Sequence, residues 1–188
     1  MKFPSAPVKA AKAARIPPTA QRQDAAVVMA KKFENVFERS FSAAKVAPGG
    51  RKKRLFTTLL HHEAPTLNRD AAAYWASRGL PATALQQWFE ATGLEKKKDL
   101  FIALQVTPST LSRAKPHTTL DAAVTERMLR QSELFVRAAE VFGEDGAIWM
   151  TRPHDLLDGR APVEYAANEF GGAKVRQILN AIEYGGVV

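Results

Sequence analysis

Apolar residues along this chain recur at helical spacing, i, i+3, i+4 and i+7, and no stretch alternates with the period of two that marks a half-buried strand. The pattern predicts an all-α fold. Between residues 24 and 46, Val28, Phe33, Val36, Phe37, Phe41 and Ala44 approximate one stripe, with Lys31, Lys32, Glu34, Glu38 and Arg39 mostly off it. This amphipathic helix ends at Pro48-Gly49-Gly50, and its apolar face suits the protein body or a second copy better than a membrane. Residues 55–60 are a short apolar run of ambiguous type, whereas 70–77 and 83–91 read as helices, separated by Gly79-Leu80-Pro81 and closed by Gly93. A long helix is expected after a capping-box-like start at Thr118-Thr119-Leu120-Asp121. It carries Leu120, Val124, Met128, Phe135, Ala138 and Phe142 on one stripe and stops at Gly143. Beyond a turn-rich bridge, helices are expected near 163–168 and 173–182, the second with Val175, Ile178, Leu179 and Ile182 spaced as a buried face.

Residues 100–115, LFIALQVTPSTLSRAK, carry the first sign of function. Leu100, Ala103 and Leu104 face a core, Val106 plugs a turn, Thr107 caps, and Pro108 opens a second short helix. This is the outline of a helix-turn-helix, in which the second helix enters the major groove of DNA. Its outward residues should then be short hydrogen-bonding groups and phosphate-reaching cations, and Thr107, Ser109, Thr110, Ser112, Arg113 and Lys115 fit, while Leu111 anchors inward. An ordinary pair of packed helices with a solvated polar face fits the same residues. Gln105 stands where glycine would end a helix cheaply, so it either costs roughly 1–2 kcal/mol in a left-handed conformation or forces another turn.

With 188 residues, 46% of them hydrophobic, the chain holds one domain of good size or two small ones. Its longest apolar stretches, such as 25–30, fall far short of the ~20 residues that cross a bilayer, and its basic start lacks an apolar core of the secretory kind. No cysteine is present, which excludes disulfides, thiolate catalysis and cysteine zinc sites and fits a reducing, cytoplasmic setting. Charge is more informative by position than in total. Residues 1–70 hold 14 Lys and Arg against 5 Asp and Glu, and the other 118 hold 13 against 14, so the net +8 belongs to the first part. Such a segment either seeks phosphate backbones by releasing counterions or serves as a solubilising arm. Residues 1–23, rich in Ala, Lys and Pro, bury too little surface to offset their ordering entropy.

Enzyme chemistry finds little support. His61 and His62 are adjacent, not one helical turn apart, and no glycine-rich phosphate loop, HExxH or nucleophile setting occurs. Neither metal, cofactor nor catalytic residue is expected.

An ordered series of residues in the second half resembles the Xre/MbcA/ParS group of antitoxins. It runs through Ala139-Glu140-Val141-Phe142-Gly143, Trp149, Pro153, Leu157-Asp158-Gly159-Arg160-Ala161-Pro162, Gly172, Val175, Leu179 and Ile182-Glu183-Tyr184-Gly185. Residues 94–113 look like the family's Xre-type helix-turn-helix, and nothing before about residue 60 matches the family pattern. The resemblance implies three parts: a basic extension (1–54), a helix-turn-helix domain (55–118) and a C-terminal toxin-binding domain (119–188). It further implies a RES-type toxin that consumes NAD as partner, with Arg160, Glu183, Tyr184, Gly185, Val187 and Val188 as contacts, operator DNA for autorepression, and a homodimer inside the complex. A free-standing dimeric helix-turn-helix regulator without a toxin is the competing expectation.

Overall fold

The fold is described from a computed structural model covering residues 19–43, 69–115 and 117–186. Expectations for residues 1–18, the 48–50 stop, the basic tetrad 51–54, the 55–60 run, the histidine pair, Val187 and Val188 lie outside the described residues. Among those described, regular structure is helical apart from two isolated bridges, as the spacing predicted. The helices are α1 (Thr19–Ala43), α2 (Arg69–Arg78), α3 (Ala84–Thr92), α4 (Lys97–Leu104), α5 (Pro108–Ser112), α6 (Ala122–Phe142), α7 (Gly146–Thr151), α8 (Pro162–Tyr165) and α9 (Glu169–Tyr184).

Helix α6 is the spine, against which α1, α2, α3, α4, α7 and α9 all pack. Its sequence requires this. Besides the expected Val124, Met128, Phe135, Ala138 and Phe142, it buries Leu129, Leu134, Val136 and Val141, so apolar residues cover more than one face and need neighbours on several sides. The helix begins on a single cap: the Asp121 carboxylate accepts the Val124 N–H at 2.7 Å, in place of a box opened by Thr118.

Helix α1 packs on α3, α6 and the turn Gly143–Asp145. It starts earlier than the spacing suggested, because a helix nucleated by packing propagates cheaply into its preceding residues. Among its residues with described side chains the buried ones are Ala26, Phe33 and Val36, while Val28, placed on the stripe by spacing alone, is 52% exposed; the expected Phe37, Phe41 and Ala44 lie outside those described. The inward register starts at a small alanine, which gives little hydropathy signal.

Several polar groups inside the body tie helices together, although Gln131 Oε1 itself has no hydrogen-bond partner among the described residues. The Trp88 indole donates to Ser132 Oγ at 2.9 Å, which in turn donates to the Met128 carbonyl at 2.7 Å. The buried Gln131 amide on α6 donates to the Val163 carbonyl at 2.9 Å and lies 3.4 Å from the carbonyls of Ala103 and Ala166. One side chain thus joins α4, α6 and α8, and a single core runs beneath the α4–α5 pair and the C-terminal helices.

Candidate functional site

Two surfaces carry the residues singled out above. The first is the α4–α5 pair. Leu100, Ala103 and Leu104 are fully buried, Val106 closes the turn, and Leu111 packs half-buried on the core. Gln105 takes the left-handed conformation (φ 50°, ψ 45°), and the turn closes as a Schellman motif, with the Gln105 N–H on the Ile102 carbonyl and the Val106 N–H on the Phe101 carbonyl. A side chain has therefore been accommodated where glycine would be cheaper. Thr107 caps α5 by accepting the Thr110 N–H, Pro108 stands in the first turn, and α5 buries no residue.

Ser109 and Ser112 are exposed on this second helix and Thr110 is half-buried, while Arg113 at its C-cap and Lys115 just beyond its end are exposed. Much of the hydroxyl chemistry is engaged locally: Thr107 Oγ1 lies 2.8 Å from Ser109 Oγ and 3.0 Å from Thr110 Oγ1, and Ser112 Oγ donates to the Ser109 carbonyl at 3.1 Å. Lys96, Lys97 and Lys98 are exposed at the start of α4, the positive end of its dipole, flanked by Glu95 and Asp99. Anions would be favoured there.

The second surface is the C-terminal block. The chain turns at the 3-10 segment Asp155–Leu157, pinned by the fully buried Leu157, and crosses two left-handed residues, Asp158 (φ 56°) and Gly159 (φ 71°). The His154 N–H on the Arg160 carbonyl and the Gly159 N–H on the His154 carbonyl, both at 3.1 Å, close the turn. Trp149 stacks on Phe142 with ring centroids 5.2 Å apart and meets His154 edge-on. Half-buried, it belongs to the rim of the core. Arg160 is about half exposed, its guanidinium 4.3 Å from the Tyr165 ring centroid and 3.7 Å from Asp158.

Helix α9 is set onto this block by close approach. A Cβ at Gly171 would lie 1.9 Å from the Tyr165 carbonyl oxygen, and one at Gly172 would lie 2.7 Å from Arg130 Cδ. Arg130, buried in α6, donates to the carbonyls of Ala166 and Ala167 at 3.2 and 3.0 Å and pairs with Glu126, placing a cation at the end of α8. Asn168 caps α9 through the Gly171 N–H. Val175, Ile178 and Leu179 are fully buried, and Ile182 is half-buried.

At the other end of α9, Arg137 of α6 gathers four groups. Its guanidinium pairs with Glu183 and Glu140, donates to Asn180 Oδ1 at 3.1 and 2.8 Å, and sits 5.9 Å from the Tyr184 ring centroid. Burial pushes the Glu140 carboxyl above its usual value, and the Arg137 cation opposes that rise. The Arg137 guanidinium itself is raised: burial works against its charge, and the two carboxylates outweigh it. Glu183 is thus occupied within the chain, whereas Tyr184 is 77% exposed and Gly185 ends the helix in the left-handed conformation. Glu183, Tyr184 and Gly185 stand together, and Arg160 makes its own contacts in the preceding turn.

Sequence reasoning missed Arg137, which lies 46 residues from Glu183 with no local spacing to connect them. It also missed Phe170, which is 89% exposed. Starting the last helix at residue 169 instead of 173 would have placed Phe170 opposite the Val175–Ile178–Leu179 stripe. Among the described residues no group of three or more His, Asp and Glu is arranged to hold a metal, and no helix is long and apolar enough to cross a membrane.

In a comparison with known families, residues 137–185 match the model of the antitoxin Xre/MbcA/ParS C-terminal toxin-binding domain. The matched span begins at Arg137 and ends at Gly185, so it encloses the α9 clamp and the exposed tyrosine. No curated protein and no solved structure is detectably similar to the chain.

Proposed function

We propose, from the match of residues 137–185 to the Xre/MbcA/ParS C-terminal toxin-binding domain, an antitoxin that sequesters a RES-type toxin by covering its NAD-consuming pocket and that represses its own operon. The observation that carries this reading is the coincidence of the matched span with the end of α9, where Tyr184 projects from a helix terminus held by Arg137. An aromatic ring with a polar tip, followed by glycines that allow close backbone approach, suits a plug for a cleft. In this reading Tyr184, Gly185, Val187 and Val188 enter the pocket, Arg160 contacts its rim, and Glu183 positions the tyrosine through Arg137. The chain acts by occlusion and supplies no catalytic group.

Autorepression is assigned to the α4–α5 pair. Arg113 and Lys115 reach phosphates, Thr107, Ser109, Thr110 and Ser112 face the groove, and the lysines at the start of α4 add a second phosphate contact. A cytoplasmic homodimer would present two such units to operator half-sites.

Co-expression with the RES-type protein encoded beside this gene tests the toxin reading: the pair should co-purify, and NAD consumption by the toxin should fall when the chain is added. If the neighbour is not RES-like and nothing co-purifies, the free-standing regulator replaces it. For DNA, Arg113→Ala and Lys115→Ala should each weaken binding to the chain's own promoter fragment and lower the salt slope by roughly one per lost phosphate contact. Unchanged binding by both variants moves the interface off α5.

A further inference from the structure

Helix α9 presents an outer face that stays exposed in the described chain, touched only at its far end by the Arg137 side chain. Phe170, Ala173, Gln177, Asn180 and Tyr184 are all exposed and lie at i, i+3, i+7, i+10 and i+14. Fourteen residues at about 100° each return to within about 40° of the starting direction, so the two aromatic rings stand on one side of the helix about 21 Å apart. Between them stand Ala173, Gln177 and Asn180, none of them charged, and the Arg137 guanidinium borders the strip only at its Tyr184 end, where it donates to Asn180.

The exposure of Phe170 is imposed by packing on the opposite side. Gly171 abuts the Tyr165 carbonyl and Gly172 abuts Arg130, and this fixes the rotation of α9 so that residue 170 points out. Of the six large hydrophobic residues exposed among the described ones, four (Ile148, Leu156, Phe170 and Tyr184) fall inside the matched span 137–185.

We propose that this outer face, from Phe170 to Tyr184, is the docking strip for the toxin, with Phe170 as a second aromatic anchor at the end of the helix remote from the plug. The inference rests on the functional reading above and adds to it where the partner must grip. Two observations select the toxin over a second copy of the chain. The strip is continuous with the Tyr184–Gly185 terminus and lies wholly within the toxin-binding domain. A strip about 21 Å long and about 10 Å wide covers on the order of 200 Å2, roughly a quarter of the ~800 Å2 per partner that a stable interface buries, so two copies meeting through it alone fall short. A partner with a groove that takes the helix and a pocket that takes the tail gathers more area. It must offer apolar sockets at both ends of that groove and an uncharged floor between them.

The test uses the full chain and the RES-type protein encoded beside its gene, with affinity measured by titration calorimetry and size by analytical ultracentrifugation. Phe170→Asp should raise Kd at least about 30-fold, as loss of an aromatic anchor does, with an unchanged melting temperature because the ring makes no core contact. Gln177→Arg, in the middle of the strip, should raise Kd about tenfold. Val28→Asp, on exposed α1 surface, should leave it unchanged. Unaltered affinity of Phe170→Asp for a toxin that the wild type binds overturns the docking strip and leaves the antitoxin reading standing. So does a variant that loses only self-association. Failure of the wild type to bind any RES-type protein overturns the functional reading and the strip with it.

Discussion

The α4–α5 turn and the α9 block are both helical, and they are held by contacts of opposite kind. The turn is built from neighbours: Thr107 caps three residues on, the Schellman bonds reach back three and five residues, and α5 buries nothing. The α9 block is built from distance. Arg137 meets Glu183 across 46 residues, Arg130 reaches Ala166 and Ala167 across 36 and 37, Gly171 admits the Tyr165 backbone and Gly172 the Arg130 side chain. A locally built element keeps its shape when its surroundings change, whereas one built by long-range approach depends on every partner in the assembly. The contrast fits the proposed division of labour, in which one surface meets a polymer of fixed shape and the other a particular protein.

The hardest blow to the α9 side is Gly171→Ala. Its methyl group would meet a backbone oxygen that cannot move without dragging α8, so destabilisation of about 3 kcal/mol is expected, at the upper end for overpacking. Thermal melting should fall by roughly 6–12 °C, and capture of the toxin should fail. A melting curve within a degree of wild type would show that α8 and α9 are more loosely joined than their contacts suggest.

Arg137→Ala should cost less, about 1–3 kcal/mol, since it leaves Glu140 and Glu183 facing each other part-buried without their cation. The sign of its pH dependence follows from Glu140. Burial already raises that carboxyl, and removing the cation raises it further. A carboxyl whose folded value is raised lends stability that is present below its unfolded value and lost as pH rises through the folded one. The deficit relative to wild type should therefore be larger at neutral pH than below the ordinary carboxylate range. Denaturant melts at the two pH values check this, and an equal deficit at both removes Glu140 from the account.

The smallest effect is expected in the turn, and in the opposite direction. Gln105→Gly relieves a side chain held at positive φ and should stabilise by about 0.5–1 kcal/mol, less than the full left-handed penalty because glycine also frees the unfolded chain. Toxin affinity should not change, so a change in Kd would link two regions that the comparison treats as separate.

Legibility followed the same division. The helix-turn-helix outline, the Thr107 cap, the Gly93 and Gly143 stops and the buried faces of α6 and α9 could be read because each is set by residues within a turn or two. The earlier start of α9 and its Asn168 cap were missed, because Gly171 and Gly172 look like breakers in one dimension and become contact points only against Tyr165 and Arg130. Val28 was misplaced for a related reason: spacing alone left the register of α1 open, and packing on α3 and α6 selected Ala26, Phe33 and Val36.

Of the candidate contacts, Tyr184 and Gly185 stand exposed at a helix end as the terminal residues suggested, but the occupation of Glu183 by Arg137 could not be read from them. Periodicity, caps and turn residues determined by themselves that this chain is helical and where most helices stop, because those are matters of local backbone energy. Only the tertiary structure decided which face of α9 is left open, since that depends on how closely Gly171 and Gly172 let it approach α8 and α6.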